Sequence, residues 1–140
     1  MRSLLTLVLL LVTACGGSPL IDGPVTVEVL QKNLADWDGR VVVVDGWLGR
    51  CKGDDCGIFE TKEAATRVGS VLFDGRIPIG ATDEFDRAAE KLQFSRVLLK
   101  ARINKECFNN TGCKDRADVL QPISLTKWTA EAAVLAKVDQ

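Results

Sequence analysis

Four cysteines fall into two close pairs. Cys51 and Cys56 enclose Lys52-Gly53-Asp54-Asp55, and Cys107 and Cys113 enclose Phe108-Asn109-Asn110-Thr111-Gly112. Thiols so placed can form disulfides, bind a soft metal or exchange electrons. Redox dithiols favour the Cys-x-x-Cys spacing, which neither pair has. Structural zinc sites bring ligands at two-to-four-residue spacings, and the second pair is wider than that, so a four-cysteine zinc site stands as the weaker rival. An even set in an exported chain reads as disulfides, and four cysteines allow three pairings. Local pairing is preferred, Cys51 with Cys56 and Cys107 with Cys113, because both enclosed segments are rich in polar turn residues. Each such closure contributes about 2 kcal/mol in the chain-entropy picture.

Other reactive constellations are scarce. The chain has no histidine, which excludes serine–histidine and cysteine–histidine catalysis and any histidine-ligated metal. Gly49 to Gly53 lacks the Gly-Lys-Ser/Thr ending of a phosphate loop. Asp54-Asp55 lacks the spaced oxygen ligands of a calcium loop and reads as a solvated turn. Asp83, Glu84 and Asp86 gather at a helix start, where the helix dipole favours negative charge. Asn109-Asn110-Thr111 matches a glycosylation sequon, a three-residue pattern short enough to be read as chance. No catalytic residue, metal ligand or cofactor is therefore expected. With 18 basic and 19 acidic residues, the chain lacks the basic excess of a nucleic-acid binder.

The fifth cysteine sits in a different setting. Met1-Arg2-Ser3 makes a short positive start, and Leu4 to Val12 is apolar but for Thr6. A helix spanning a bilayer needs about 20 apolar residues, so this stretch has the length of a secretory signal's apolar core instead. Val12-Thr13-Ala14-Cys15 resembles the bacterial lipoprotein cleavage box: an aliphatic residue, two small residues, then cysteine. The resemblance implies diacylglyceryl transfer to the Cys15 thiol, removal of residues 1–14 and acylation of the new amino terminus. It also implies outer-membrane sorting, since Gly16 stands where an aspartate commonly retains such proteins at the inner membrane. Each buried methylene contributes roughly 0.8 kcal/mol, so two or more chains anchor stably. Residues 15–24, with Gly16, Gly17, Ser18 and Pro19, suit a flexible tether. Cleavage of the 140-residue chain would leave 126 residues and shift the formal charge from −1 to −2, because Arg2 is the one charge in the leader. That length suits one domain, residues 25–140.

The elements that must position these groups follow from periodicity. Thr26 caps a helix whose apolar face is Val27, Leu30, Leu34 and Trp37, and Asp38-Gly39 ends it. Arg40 to Gly49, with four consecutive valines, is a strand, and Gly46 marks a bulge or sharp bend in it. Gly57 to Glu60 is a short return strand, and Thr61 to Val68 is a small helix. Val71-Leu72-Phe73 and Ile77-Pro78-Ile79 flank an Asp74-Gly75 turn, and Pro78 confines its piece to an edge or an end. Thr82 caps a helix presenting Phe85, Ala88, Ala89 and Leu92. Val97, Leu99, Ala101 and Ile103 alternate with Arg96, Lys100 and Arg102 in a strand. Ala117 to Thr126 is the last strand, an edge because of Pro122, and Trp128 to Val138 is a terminal helix.

The expected class is therefore mainly β with helices (α+β). Five strands with a helix between the third and fourth resemble the OB-fold, a small partly open barrel, over roughly residues 40–126. The chain also resembles small bacterial envelope lipoproteins of unassigned role, through Asp38-Gly39-Arg40, Gly46-Trp47-Leu48, the cysteine pairs and Cys113-Lys114-Asp115-Arg116-Ala117. In an OB-fold the first and last inter-strand loops flank the binding face. The resemblance implies a face framed by the two cysteine loops, with Arg50, Lys52, Lys105, Lys114 and Arg116 on the loops, Arg102 beside them and Trp47 as an apolar platform. Asp54, Asp55, Glu106 and Asp115 dilute that charge, so braced, solvated hairpins are the plainer reading. The function expected is a non-catalytic binding or accessory module, lipid-anchored in the bacterial envelope, with an envelope protein as its possible partner. The alternative is a ligand-binding module for an oligosaccharide, a peptidoglycan fragment or another small envelope molecule.

Overall fold

A computed structural model describes residues 21–67, 75–109 and 118–138. In chain order the elements are β1 (Val25–Thr26), α1 (Val27–Asn33), β2 (Val41–Leu48), β3 (Gly57–Phe59), α2 (Lys62–Thr66), β4 (Ile77–Pro78), α3 (Asp83–Leu92), β5 (Arg96–Ile103), α4 (Glu106–Asn109), β6 (Leu120–Lys127) and α5 (Ala130–Val138). The six strands make one sheet in the order β4-β3-β2-β5-β6, with β1 paired to β2 off that path. All pairings are antiparallel except β1 with β2.

The valine run makes β2 the centre of the sheet. Seven register pairs join it to β5, from Val41 opposite Arg102 to Trp47 opposite Arg96. Strand period two then sorts the side chains. Val42, Val44, Leu48, Val97, Leu99, Ala101 and Ile103 point to one face and are buried there with Val27, Leu30 and Leu34 of the α1 segment and with Phe85 and Ala89 of α3. Trp37 packs against this core at its margin. No polar or charged side chain is buried among the described residues, so the core rests on apolar burial alone.

Threonines start the helices. The Oγ1 atoms of Thr26, Thr61 and Thr82 accept from Val29, Ala64 and Phe85 amides at 3.3, 3.2 and 3.1 Å, satisfying first-turn donors that the helix itself leaves free. Thr129 does the same for Ala132 ahead of α5, at 3.0 Å. Ends shift modestly from expectation: the second helix spans Lys62–Thr66, and the Val71-Leu72-Phe73 strand expectation lies outside the described residues. Two elements were not anticipated, the short β1 and the single turn α4 after the β5 strand.

Gly46 makes no bulge. Its register with Val97 is regular, and the irregularity of the sheet lies between Lys100 and Ala101, where Ser124 and Pro122 of β6 are the partners and Ile123 is extra. Gly46 serves instead a close approach: a Cβ there would come 2.7 Å from Val27 Cγ2, 2.8 Å from Ile58 Cγ1 and 2.9 Å from the Phe59 carbonyl oxygen. Pro122 lies on the edge strand, as its missing donor requires. The sheet is not closed. A single parallel bridge, Ile79 with Leu120, and the Gly80 amide donating to the Leu120 carbonyl at 2.9 Å bring its two edges together at one point.

Candidate functional site

The second face of the sheet carries the side chains that the core does not use. The odd-numbered residues of β2 lie there with their partners on β3 and β5. Across one end runs a row of large side chains: Phe59 opposite Trp47, Trp47 opposite Arg96, and Trp128 beside Arg96, its amide donating to the Arg96 carbonyl at 3.0 Å. Gly49 lies against the Phe59 ring, where a Cβ would meet Cε2 at 2.5 Å. The Lys62 ammonium stands 5.7 Å from the centroid of the Trp47 ring.

Asp45 organises this end. Its carboxylate accepts from Arg96 Nε and Nη2, both at 2.8 Å, and from Trp128 Nε1 at 3.1 Å. The Arg96 guanidinium also lies 4.2 Å from the Trp128 ring centroid, a stacked cation–π arrangement. The hydrogen bond to Asp45 holds the Arg96 proton still more firmly than usual, against a smaller opposing effect of burial. The fork geometry matches the carboxylate bidentately, which a lysine could not do. This clasp fixes the chain where it leaves β6 and enters α5.

Beyond the clasp, α5 lies over the same face. Between them is a groove of ≈ 230 Å³, floored by Val43, Leu98 and Lys100 and walled by Ala132, Leu135 and Ala136 of α5. Ser124 and Thr126 add two hydroxyls from β6. The site is thus a largely apolar slot whose lining also includes Lys100, Ser124 and Thr126. Among the described residues Lys100 has no ion-pair partner, and no group of three or more metal-ligating side chains occurs.

The residues expected to frame a face are spread out. Trp47 and Arg50 lie at the Leu48 end of β2, and Lys52 sits in the first cysteine loop. Cys51 and Cys56 are disulfide-bonded, around a two-residue turn with Gly53 at φ 59° and paired Lys52 and Asp55 backbones. Arg76 pairs with Asp55 on the same hairpin. Arg102 and Lys105 lie at the opposite end of β2, about 23 Å away at the usual strand rise. There they hold the Asp38-Gly39 turn: Arg102 Nη1 donates to the Gly39 carbonyl at 2.8 Å, and the Lys105 amide donates to Asp38 Oδ1 at 2.9 Å. Lys105 Nζ also stands 3.8 Å from Asp38 Oδ2. Cys107 is disulfide-bonded too. Cys15, Cys113, Lys114 and Arg116 lie outside the described residues, and with them the expected Cys107–Cys113 pairing.

Sequence reasoning missed Asp45, Arg96, Trp128 and Phe94. Phe94 occupies a position with φ 62° in the turn between α3 and β5, and it is exposed. Gln93 before it has φ −51° and ψ 136°, and the Ser95 amide donates to the Leu92 carbonyl at 3.1 Å. This is a type II turn with phenylalanine where glycine is usual. No signal in the local sequence points to it. No helix among the described residues is long and apolar enough to cross a membrane. No protein-family model, curated protein or solved structure matches the chain.

Proposed function

We propose that this chain is a bacterial envelope lipoprotein, cut before Cys15 and anchored by acyl chains on that residue, whose domain is a non-catalytic binding or accessory module. The observation that carries the reading is Val12-Thr13-Ala14-Cys15 placed directly after an apolar, singly positive leader. The Cys51–Cys56 disulfide supports it, because such bonds persist in oxidising compartments. The kinship to OB-folds draws support from α3 between β4 and β5 and from the parallel Ile79–Leu120 bridge. A membrane through its lipid and a protein of the envelope are the partners this reading implies, with the outer membrane as its location.

The test is metabolic labelling with palmitate and the intact mass of the protein from its native membrane. The wild-type chain should carry label and the mass of a lipidated Cys15 chain. Cys15→Ser should lose the label and either stay uncleaved or leave the membrane fraction. Unchanged processing and fractionation in that variant would sink the reading.

A ligand-binding role is the second reading, and one observation favours it. The groove under α5 is largely apolar with Lys100 in its lining, which suits an acyl chain with an anionic head better than a sugar. The same mass measurement under native conditions distinguishes the two: a co-purifying amphiphile supports the second role, and a bare chain with a crosslinked envelope protein supports the first.

A further inference from the structure

α5 is apolar on more than one side. Its sequence is Ala130-Glu131-Ala132-Ala133-Val134-Leu135-Ala136-Lys137-Val138, and only Glu131 and Lys137 are charged. Ala132, Leu135 and Ala136 line the groove over the sheet, Leu135 while remaining largely exposed. Val134, Leu135 and Val138 stand 62%, 58% and 78% exposed, the largest unsatisfied apolar surface on any described element. A helix apolar beyond the stripe it packs is one that a second apolar phase covers.

The start of the domain says which phase. The described chain begins at Ile21, which packs against the core, and Gly23 lies directly under the Lys137 side chain, where a Cβ would come 2.8 Å from Cγ. The tether therefore enters the domain beside the last turn of α5. Six residue steps separate Cys15 from Ile21, which reach at most about 22 Å when fully extended. A lipidated Cys15 cannot be farther than that from this entry point, so the bilayer lies within reach of the last turn of α5.

We infer that α5 docks by Val134, Leu135 and Val138 onto the same phospholipid surface that holds the acylated Cys15. The inference rests on the lipoprotein reading for its geometry. The tether then supplies one attachment and the helix a second, weaker one, which fixes which face of the domain looks away from the membrane. Lys137 stands at the helix end nearest the tether, where its stem packs on Gly23 and its ammonium can reach lipid headgroups.

The test uses the full lipidated protein in phospholipid vesicles that contain a photoactivatable lipid. Illumination should label residues 130–138, mapped by peptide mass. In the Val134→Glu/Val138→Glu variant the helix label should fall about tenfold or more, since two carboxylates oppose insertion of an interfacial helix, while labelling of the tether persists. Label confined to the tether in the wild-type protein would overturn the inference, as would crosslinks joining α5 to a second copy in place of lipid. The intact mass reports acylation of Cys15 separately. If Cys15 proves unmodified, α5 labelling of the vesicle-mixed chain still supports helix docking and its absence refutes it, so the two readings fail independently.

Discussion

Asp45 accepts three hydrogen bonds, two from one guanidinium and one from an indole, with its side chain only 17% exposed. Removing its carboxylate leaves Arg96 and Trp128 to find water. Arg96 is 44% exposed and can do so, which limits the loss. Asp45→Ala should therefore cost about 1–2 kcal/mol in urea denaturation, toward the low end for hydrogen bonds to a charged group. Its diagnostic effect is local: amides of residues 130–138 should exchange faster than those of β5. Trp128→Phe keeps a ring for Arg96 to stack on and loses one hydrogen bond, so about half that cost follows. Uniform acceleration of exchange across the domain would show that the clasp supports the whole sheet and not α5 in particular.

At the scale of elements, β2 is both the most legible strand and the most constrained. Its valines and its alternation identify it without any partner, and Thr26 and Thr82 mark their helices by the hydrogen bonds a threonine can make to a first-turn amide. Gly46 belongs to the second kind of information. Its neighbours Val27 and Ile58 are 19 and 12 positions away, and only the folded contact tells a close approach from a bulge. Gly46→Ala should cost about 1–3 kcal/mol, the range for overpacking a filled core, read as a lower melting temperature with the spectroscopic signature of the folded sheet retained below it. A melting temperature equal to wild type would mean that β2 and α1 separate freely there. The same divide explains the rest of the site. Asp45, Arg96 and Trp128 lie 51 and 83 positions apart, and no local pattern brings them together. Phe94 was illegible for the opposite reason: its turn is local, but it holds a residue that turn chemistry disfavours. Arg50 and Arg102 do not lie together because Arg50 follows the end of β2 while Arg102, on β5, stands opposite its start, a consequence of antiparallel pairing that loop order alone does not reveal.

For the whole molecule, the Cys51–Cys56 bond closes a hairpin that already has its own hydrogen bonds. The Lys52 and Asp55 amides and carbonyls pair at 2.9 and 3.3 Å, Ile58 is fully buried just beyond, and Cys56 itself is 2% exposed. The loop is short, so the bond removes little entropy from the unfolded chain, about 2 kcal/mol in the chain-entropy picture. The core of valine, leucine and isoleucine is formed by α1, α3 and the sheet, and the bond meets it at the β2–β3 corner, where Cys56 belongs to the cluster and Cys51 packs against it. Cys51→Ser with Cys56→Ala should then fold, with a urea midpoint lower by about 1–2 M for a domain of this size and an unchanged slope. Cys56→Ser in place of alanine should cost more, because it puts a hydroxyl at a position only 2% exposed. An unfolded double variant would mean that the hairpin nucleates the sheet, and the β2–β3 corner, not the β2–β5 pairing, would be the part of the domain that oxidation of these two thiols is needed to make.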